Sequence, residues 1–449
     1  KERLMFTVDV STGSRATIGG MTGNNSCGAR SIRYGTMRDN VSALEAIFID
    51  GSRHQFGLSS RDNEPNRFNR QLFDIGDKYA GEVAHRFPDV QRRVGGYNID
   101  ALARLPNGTN NLAHLLVGSE GTLAYSERIQ LHLSNIPSHK VLGVCHFPTF
   151  YAAMDSAQHI VKLGPSAVEL VDRTMIELAR DIPLFRDVIG QIVVGQPDAL
   201  LLVEFSGDDF DAQLQGLKQL QELMSDLGFS GGVTEALNPG FQKEIWEVRK
   251  SGLNIMMSMK GDGKPVSFIE DCAVRLEDLA EYTRRLTEIF SKYETSGTWY
   301  AHASVGCLHV RPVLNVKQDI EVIKMRAIAE EAFEMVREYK GSHSGEHGDG
   351  LVRSEFHAAM FGEKMITAFT DVKNLFDPSG LLNPGKIVRP SKMDDRSLFR
   401  YKPGYKTKPM ENGLDWSAWG GFGGAVEMCN NNGACRKFDS AVMCPSYRV

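Results

Sequence analysis

Leu112-Ala-His-Leu-Leu-Val117 runs directly into Gly118-Ser-Glu-Gly121-Thr122, and an alternating stretch from Ala124 to Leu133 follows. The segment reads as a turn of small polar residues between apolar runs, followed by a period-two strand. The hydroxyls and N–H groups of that turn can face a cofactor, and a plain β-turn would also satisfy the pattern.

Upstream, Val41 to Ile49 reads as a strand, and Asp50-Gly51 is a hairpin signal. Residues 13–35 are loop-like and rich in small residues, with Gly19-Gly-Met-Thr-Gly23-Asn-Asn-Ser-Cys-Gly28 at their centre. Such glycines let backbone N–H groups approach a pyrophosphate with no Cβ in the way, although an ordinary loop has the same composition. The pattern is neither GxxxxGK[ST] nor GxGxxG. Residues 60–92 are charged and predicted helical, as a surface insertion.

Past Pro137 the texture changes to strands alternating with helices. Val141–Phe147, Leu200–Phe205 and Val266–Asp271 read as strands, and Trp299 to Val310 as strand and loop. Thr149–Leu163, Phe210–Leu227, Leu276–Tyr293 and Val316–Tyr339 read as helices. This is a layered α+β domain. A further helix from near Lys364 ends at Asp377-Pro-Ser-Gly380. From Pro390 to Gly424 the chain is rich in Pro, Gly and Lys, the composition of a linker.

The 449 residues suffice for two or three domains, and 42% hydrophobic with 24% charged residues is ordinary globular composition. A formal net charge of −5 gives no general reason to expect nucleic acid as a partner. No apolar run approaches the roughly 20 residues of a membrane span. Four cysteines are scattered singly and three crowd the last stretch, at Cys429, Cys435 and Cys444. That usage fits a reduced cytoplasmic protein better than a disulfide framework.

Two stretches carry acid–base and metal-binding side chains. One is His302-Ala-Ser-Val-Gly-Cys-Leu-His309, followed by Arg311-Pro312, and the other is Ser344-Gly-Glu346-His347-Gly-Asp-Gly350. Two imidazoles and one carboxylate are a common way to hold a divalent cation with positions left open for substrate. His347, beside Glu346, is then placed to act as acid or base. On one straight strand His302 and His309 would point to opposite faces, so Gly306 must help break the strand if both reach one ion. Two buried structural histidines are the competing reading. Closely spaced cysteines ending in Cys444-Pro445 are typical of iron–sulfur ligation, although three thiolates leave a four-thiolate cluster one ligand short.

In combination, Gly118-Ser-Glu-Gly-Thr122, Glu346-His347-Gly and Asn383-Pro-Gly-Lys386 resemble the FAD-linked D-2-hydroxyacid dehydrogenases of the vanillyl-alcohol-oxidase (PCMH-type) flavoprotein superfamily. The likeness is greatest to the long bacterial form fused to an iron–sulfur module. It implies the second half of a PCMH-type FAD-binding domain over 1–137 and a larger α+β substrate or cap domain over 138–362. It further implies a return to the FAD domain over 363–390, a linker over 391–428, and the start of an iron–sulfur module over 429–449. The first half of the flavin domain would then precede Lys1. Gly20, Gly23, Asn24, Ser26, Gly28, the turn Gly118, Ser119, Glu120, Gly121, Thr122, and Asn383 would lie along FAD. His302, His309 and Glu346 would hold Zn, Mn or Fe, although many family members carry His-x-Gly-Asp-Gly-Asn-Leu-His where this chain has Ser304, Val305, Gly306 and Cys307. His347 would be the catalytic base, and Arg249 and Lys264 would grip substrate carboxylates. Two such cations favour a diacid, D-2-hydroxyglutarate, over D-lactate or glycolate. Electrons would pass through an iron–sulfur cluster held by Cys429, Cys435 and Cys444 in the complete protein to an unidentified acceptor. The expected location is cytoplasmic, with peripheral attachment to the inner membrane left open. A noncatalytic fragment without bound flavin is the alternative of another class.

Overall fold

The computed structural model describes residues 2–257 and 259–429. Cys435 and Cys444 therefore lie outside the described residues. The larger of its sheets has seven antiparallel strands in the spatial order Val233–Ala236, His139–Phe147, Ala199–Gly207, Ala167–Asp172, Gly297–His302, Cys307–Leu314, Lys264–Pro265. The central strands are covered on both faces, so they read as continuous apolar runs rather than as half-buried alternation. Val141, Cys145, Leu201 and Val203 enter one core with the helices Phe150–Ile160, Phe210–Asp226 and Leu279–Lys292. Leu142, Val144, Leu200 and Leu202 enter another with the helices Arg173–Asp181, Pro183–Ile192 and Pro239–Lys250.

This alternation builds the site. On strand 167–172, Val168 and Leu170 point into the first core, which sends Glu169 to the opposite face. Ala301, Leu308 and Val310 do the same on their strands, which leaves Tyr300, His302, Cys307, His309 and Arg311 on the face shared with Glu169.

A smaller antiparallel sheet joins Arg53–Phe56, Val41–Ile47 and Tyr125–Leu131. The helix Glu363–Phe376 returns to it, and Phe376 packs edge-on against Phe68 at 4.9 Å. No helix among the described residues is long and apolar enough to cross a membrane.

Four expectations need correction or addition. Residues 13–35 are not simply a loop: helices span Ile18–Asn24 and Ser31–Tyr34, the first started by Thr17, whose hydroxyl accepts from the Gly20 N–H. The 60–92 segment is no surface insertion, since its helix Arg67–Arg86 buries Leu72, Phe73, Tyr79 and Val83, and Arg92 is itself buried. Val266–Asp271 does not form a strand. Asp271, at its end, adopts φ 84°, and its carboxylate accepts three backbone N–H groups of the 345–347 loop. The strand Ala167–Asp172 and the two helices after it were not anticipated at all.

Candidate active site

His302 ends one strand and His309 lies on the next, joined by a hairpin over Ala303–Gly306. His302 pairs directly with Cys307, so His309, two residues on, is its diagonal neighbour on the same face. The strand break that the seven-residue spacing demanded is there. Gly306 turns it with φ +65°, and a Cβ at that position would stand 2.0 Å from the Val274 carbonyl oxygen. The two imidazoles end with ring centroids 4.8 Å apart.

Glu346 completes the cluster from another segment. One of its carboxylate oxygens lies 3.0 Å from His309 Nε2 and 3.2 Å from His347 Nε2, and the other lies 3.1 Å from His302 Nε2. Asp271, His309, Glu346 and His347 each offer a ligand atom within 4.8 Å of the others. Behind them, His302 Nδ1 meets Glu169 at 2.7 Å and His347 Nδ1 meets Glu270 at 3.4 Å. A carboxylate on the far nitrogen fixes the tautomer and turns Nε2 forward, as for histidines that bind cations. Arg92 closes the other side of Glu346 at 2.6 Å while also donating to the Gly28 carbonyl. Arg92, Glu169, Glu270 and Asp271 are partners that sequence reading missed. Each is one charged residue in an unremarkable local pattern, and only the fold brings them to the cluster.

The electrostatics follow from this crowding. Burial opposes the charge on Glu346, but His302 and His309 outweigh it and hold the carboxyl well below its usual range. Burial keeps His309 neutral, with one ring-nitrogen lone pair available. Burial also disfavours protonation of His347, yet Asp271, Glu270 and Glu346 together raise it well above an ordinary histidine. Its side chain keeps 33% of its surface exposed, which damps that shift.

Glu169, His302, His309, Glu346 and His347 wall a cavity of about 240 Å³ that Arg249, Tyr300, Arg311, Trp246 and Cys27 also line. Arg249 bonds Glu169 at 2.5 Å and lies 4.9 Å from the Tyr300 ring, and its Nε has no hydrogen-bond partner. A buried guanidinium with a free donor is suited to a carboxylate guest. Lys264 is not in this cavity. It lines a neighbouring one of about 820 Å³, where its ammonium meets the Met259 carbonyl and, at 3.0 Å, Met428 Sδ. Arg311 lines both cavities and is held by Tyr300 at 2.7 Å and Ser267 at 3.0 Å. Exposed Cys429 lines the second cavity.

Three of the candidate flavin residues, Asn24, Glu120 and Asn383, meet beside the loop that carries Glu346. Asn24 donates to the Glu346 carbonyl at 2.7 Å, and Glu120 accepts from the N–H groups of Asp349 at 2.5 Å and Gly350 at 3.0 Å. Asn383 donates to the Glu120 carbonyl at 2.6 Å. Gly348, with φ +82°, is where this contact is tightest: a Cβ would stand 2.7 Å from Glu120 and 2.8 Å from Asn24. Gly19, Gly20 and Gly121 are exposed, and open space lies where a Cβ of Gly19 or Gly121 would be, so they form a bare surface suited to a flat cofactor. The remaining candidates have other duties. Gly28 makes room for Asp9, whose carboxylate would lie 2.3 Å from a Cβ. Ser26 lines the 240 Å³ cavity beside Asn24. Ser119 and Thr122 are buried, and Thr122 bonds Tyr97 at 2.6 Å and the Ser119 carbonyl. Unforeseen, buried Lys373 ties this turn to the 377–383 loop through the Thr122 and Leu382 carbonyls and Asp377.

Residues 1–57 match an FAD binding domain, and residues 136–387 match the C-terminal domain of FAD linked oxidases. A D-2-hydroxyglutarate dehydrogenase of Pantoea ananatis is 29% identical over 99% of this chain and 45% of its own length. A mitochondrial cytochrome-type D-lactate dehydrogenase of Arabidopsis thaliana is 27% identical over 86% of this chain and 59% of its own. The chain thus spans less than two thirds of either relative. In fold it resembles 4-ethylphenol oxidase from Gulosibacter chungangensis, with a TM-score of 0.56 at 13% identity over 86% of this chain and 72% of that one. With more than half its residues matched, this α+β chain belongs to the FAD-linked oxidases.

Proposed function

We propose that the chain is the flavin- and substrate-handling portion of an enzyme that oxidises a D-2-hydroxyacid to the 2-keto acid, with D-2-hydroxyglutarate the favoured substrate. The observation that carries this reading is the meeting of three imidazoles on the Glu346 carboxylate, in one cavity with a buried arginine. In this reading residues 1–137 and 363–390 serve the flavin and 138–362 the substrate.

The donor set suits a divalent cation. His302 Nε2 and His309 Nε2 lie 3.1 and 3.0 Å from the two different Glu346 oxygens, so two imidazoles and one carboxylate face a common point as N and O ligands of a divalent ion would. Glu169 behind His302 adds the outer carboxylate that such a site needs. Bound FAD supplies a two-electron acceptor, and a bound cation at His302, His309 and Glu346 supplies positive charge that lowers the pKa of the substrate hydroxyl. Arg249 clamps a substrate carboxylate. Arg311 offers the second positive group that favours a diacid, and Lys264 serves only a guest long enough to reach the adjoining cavity. His347 Nδ1 is held by Glu270, and its Nε2 takes the hydroxyl proton in the neutral form, which the carboxylates of Asp271, Glu270 and Glu346 disfavour and a cation on Glu346 would favour. An iron–sulfur centre of a longer protein would accept the electrons, and exposed Cys429 is the candidate ligand among the described residues.

The test is flavin absorbance near about 450 nm during anaerobic mixing with each acid. D-2-Hydroxyglutarate should bleach the band faster than D-lactate or glycolate. Equal or faster bleaching by D-lactate moves the assignment to that acid. A chain with no flavin band and no bleaching supports the noncatalytic alternative.

A further inference from the structure

Behind the Glu346–His347 loop lies a second group of potential ligands that the proposed reaction does not use. His343, Asp349 and His357 are all buried. His357 Nε2 lies 3.0 Å from one Asp349 oxygen, and His343 Nε2 lies 3.6 Å from the other. The ligand atoms of the three lie within 4.8 Å of one another.

Hydrogen bonding leaves this group unfinished. Neither ring nitrogen of His343 has a hydrogen-bond partner, although the side chain is fully enclosed. Asp349 Oδ1 is likewise unbonded. His357 Nδ1 faces the Ile387 carbonyl at 3.0 Å, which makes that nitrogen the N–H donor and leaves the Nε2 lone pair pointing into the cluster. Asp349 Oδ2 is oriented by the Gly96 N–H at 2.7 Å. Around His343 the neighbours are aromatic: Phe333 and Phe361 meet its ring edge-on, both at 5.7 Å. A buried imidazole with no partner costs free energy, and buried polar atoms in proteins are rarely left so.

We propose that His343, Asp349 and His357 form a second, enclosed cation site that takes a zinc-class divalent ion and anchors the loop carrying Glu346 and His347. Separations of 3.0 and 3.6 Å bracket the ligand edge of about 3.3 Å set by N and O bonds of 2.0–2.2 Å. Two imidazoles and a carboxylate suit zinc and its neighbours in the first transition row. The enclosure keeps substrate away from the three ligands, so an ion here would anchor the loop rather than take part in the reaction. The site joins the 343–349 loop, the helix His357–Phe361 and, through Gly96, the segment following Arg92. It is distinct from the His302, His309 and Glu346 cluster and does not depend on the role proposed for it.

The 449-residue chain, stripped by chelator and titrated with Zn²⁺ alone, tests this by elemental analysis and thermal unfolding. Two zinc ions per chain are expected. The His302→Ala/His309→Ala variant should retain one, and none retained there overturns the second site. His343→Leu and His357→Gln should each lose one ion and the part of the zinc-dependent rise in Tm that belongs to it. His343→Leu separates the two explanations on its own. Without a cation, replacing an unbonded buried imidazole by an apolar side chain raises Tm and leaves the zinc count unchanged, and that result overturns the proposal. Loss of zinc from the His302→Ala/His309→Ala variant alone would support the catalytic cluster and refute this one, and the reverse pattern would do the opposite.

Discussion

Glu169 sits between His302 and Arg249, with one carboxylate oxygen 2.7 Å from His302 Nδ1 and the other 2.5 Å from the Arg249 guanidinium. One buried acid thus orients both a candidate cation ligand and the candidate substrate clamp. Glu169→Gln keeps the shape but loses the charge. Cation affinity, measured by chelator competition, should fall about 10- to 100-fold. KM for the hydroxyacid should rise in the same variant, because Arg249 loses its orienting partner.

Gly306→Ala tests the hairpin that makes the seven-residue spacing work. An alanine would have to adopt φ +65° and place its Cβ 2.0 Å from the Val274 carbonyl oxygen. The predicted loss is at least about 3 kcal/mol in urea unfolding, with cation binding weakened as His302 and His309 move apart.

Arg92→Met removes the guanidinium from Glu346 and from the Gly28 carbonyl. Breaking a buried pair on one side costs about 3–5 kcal/mol. Added Zn²⁺ should restore more stability to this variant than to the parent, because the ion supplies the positive charge that Glu346 has lost. An equal increment in both proteins would place the ion elsewhere.

Glu120 gives a pH signature. Burial, then the neighbouring charge of Asp349, raises its pKa to about 7, above the ordinary carboxylate value. Between the unfolded and folded values the native chain holds a proton that the unfolded chain has released. Stability from this group is therefore fully present below about pH 4.5 and is lost as pH rises toward about 7. Glu120→Gln keeps an acceptor for the Asp349 and Gly350 N–H groups and removes the titration. The Tm difference, variant minus parent, should grow between those two pH values and then level off.

The meeting of His302, His309, Glu346 and His347 was legible because these residues are few and chemically distinctive. His302, His309, Glu346 and His347 all reach one cavity. The strands and helices flanking it were legible where apolar period was strong, as at His139–Phe147 and Asp319–Glu338. What could not be read is what depends on tertiary pairing. Glu169 looks like one acid in an apolar run, and only the pairing of its strand with Gly297–His302 sets it opposite His302. Arg92 looks like surface charge until the fold buries it against Glu346. Lys264 was assigned from its place in the chain, and the path of the backbone puts it in the adjoining cavity. Gly28 was placed along FAD by the resemblance, and the fold sets Asp9 where its Cβ would be.

The most direct test of the central claim is anaerobic single-turnover reduction of the flavin by D-2-hydroxyglutarate in the longest natural form of the protein. It compares the cation-loaded enzyme, the chelator-stripped enzyme and His347→Asn. All three should retain the flavin absorbance band. Bleaching should be fast only in the loaded parent, and at least about a hundredfold slower in the other two. Bleaching at the parent rate after the cation is removed, or with asparagine at position 347, would contradict the assignment of His302, His309, Glu346 and His347.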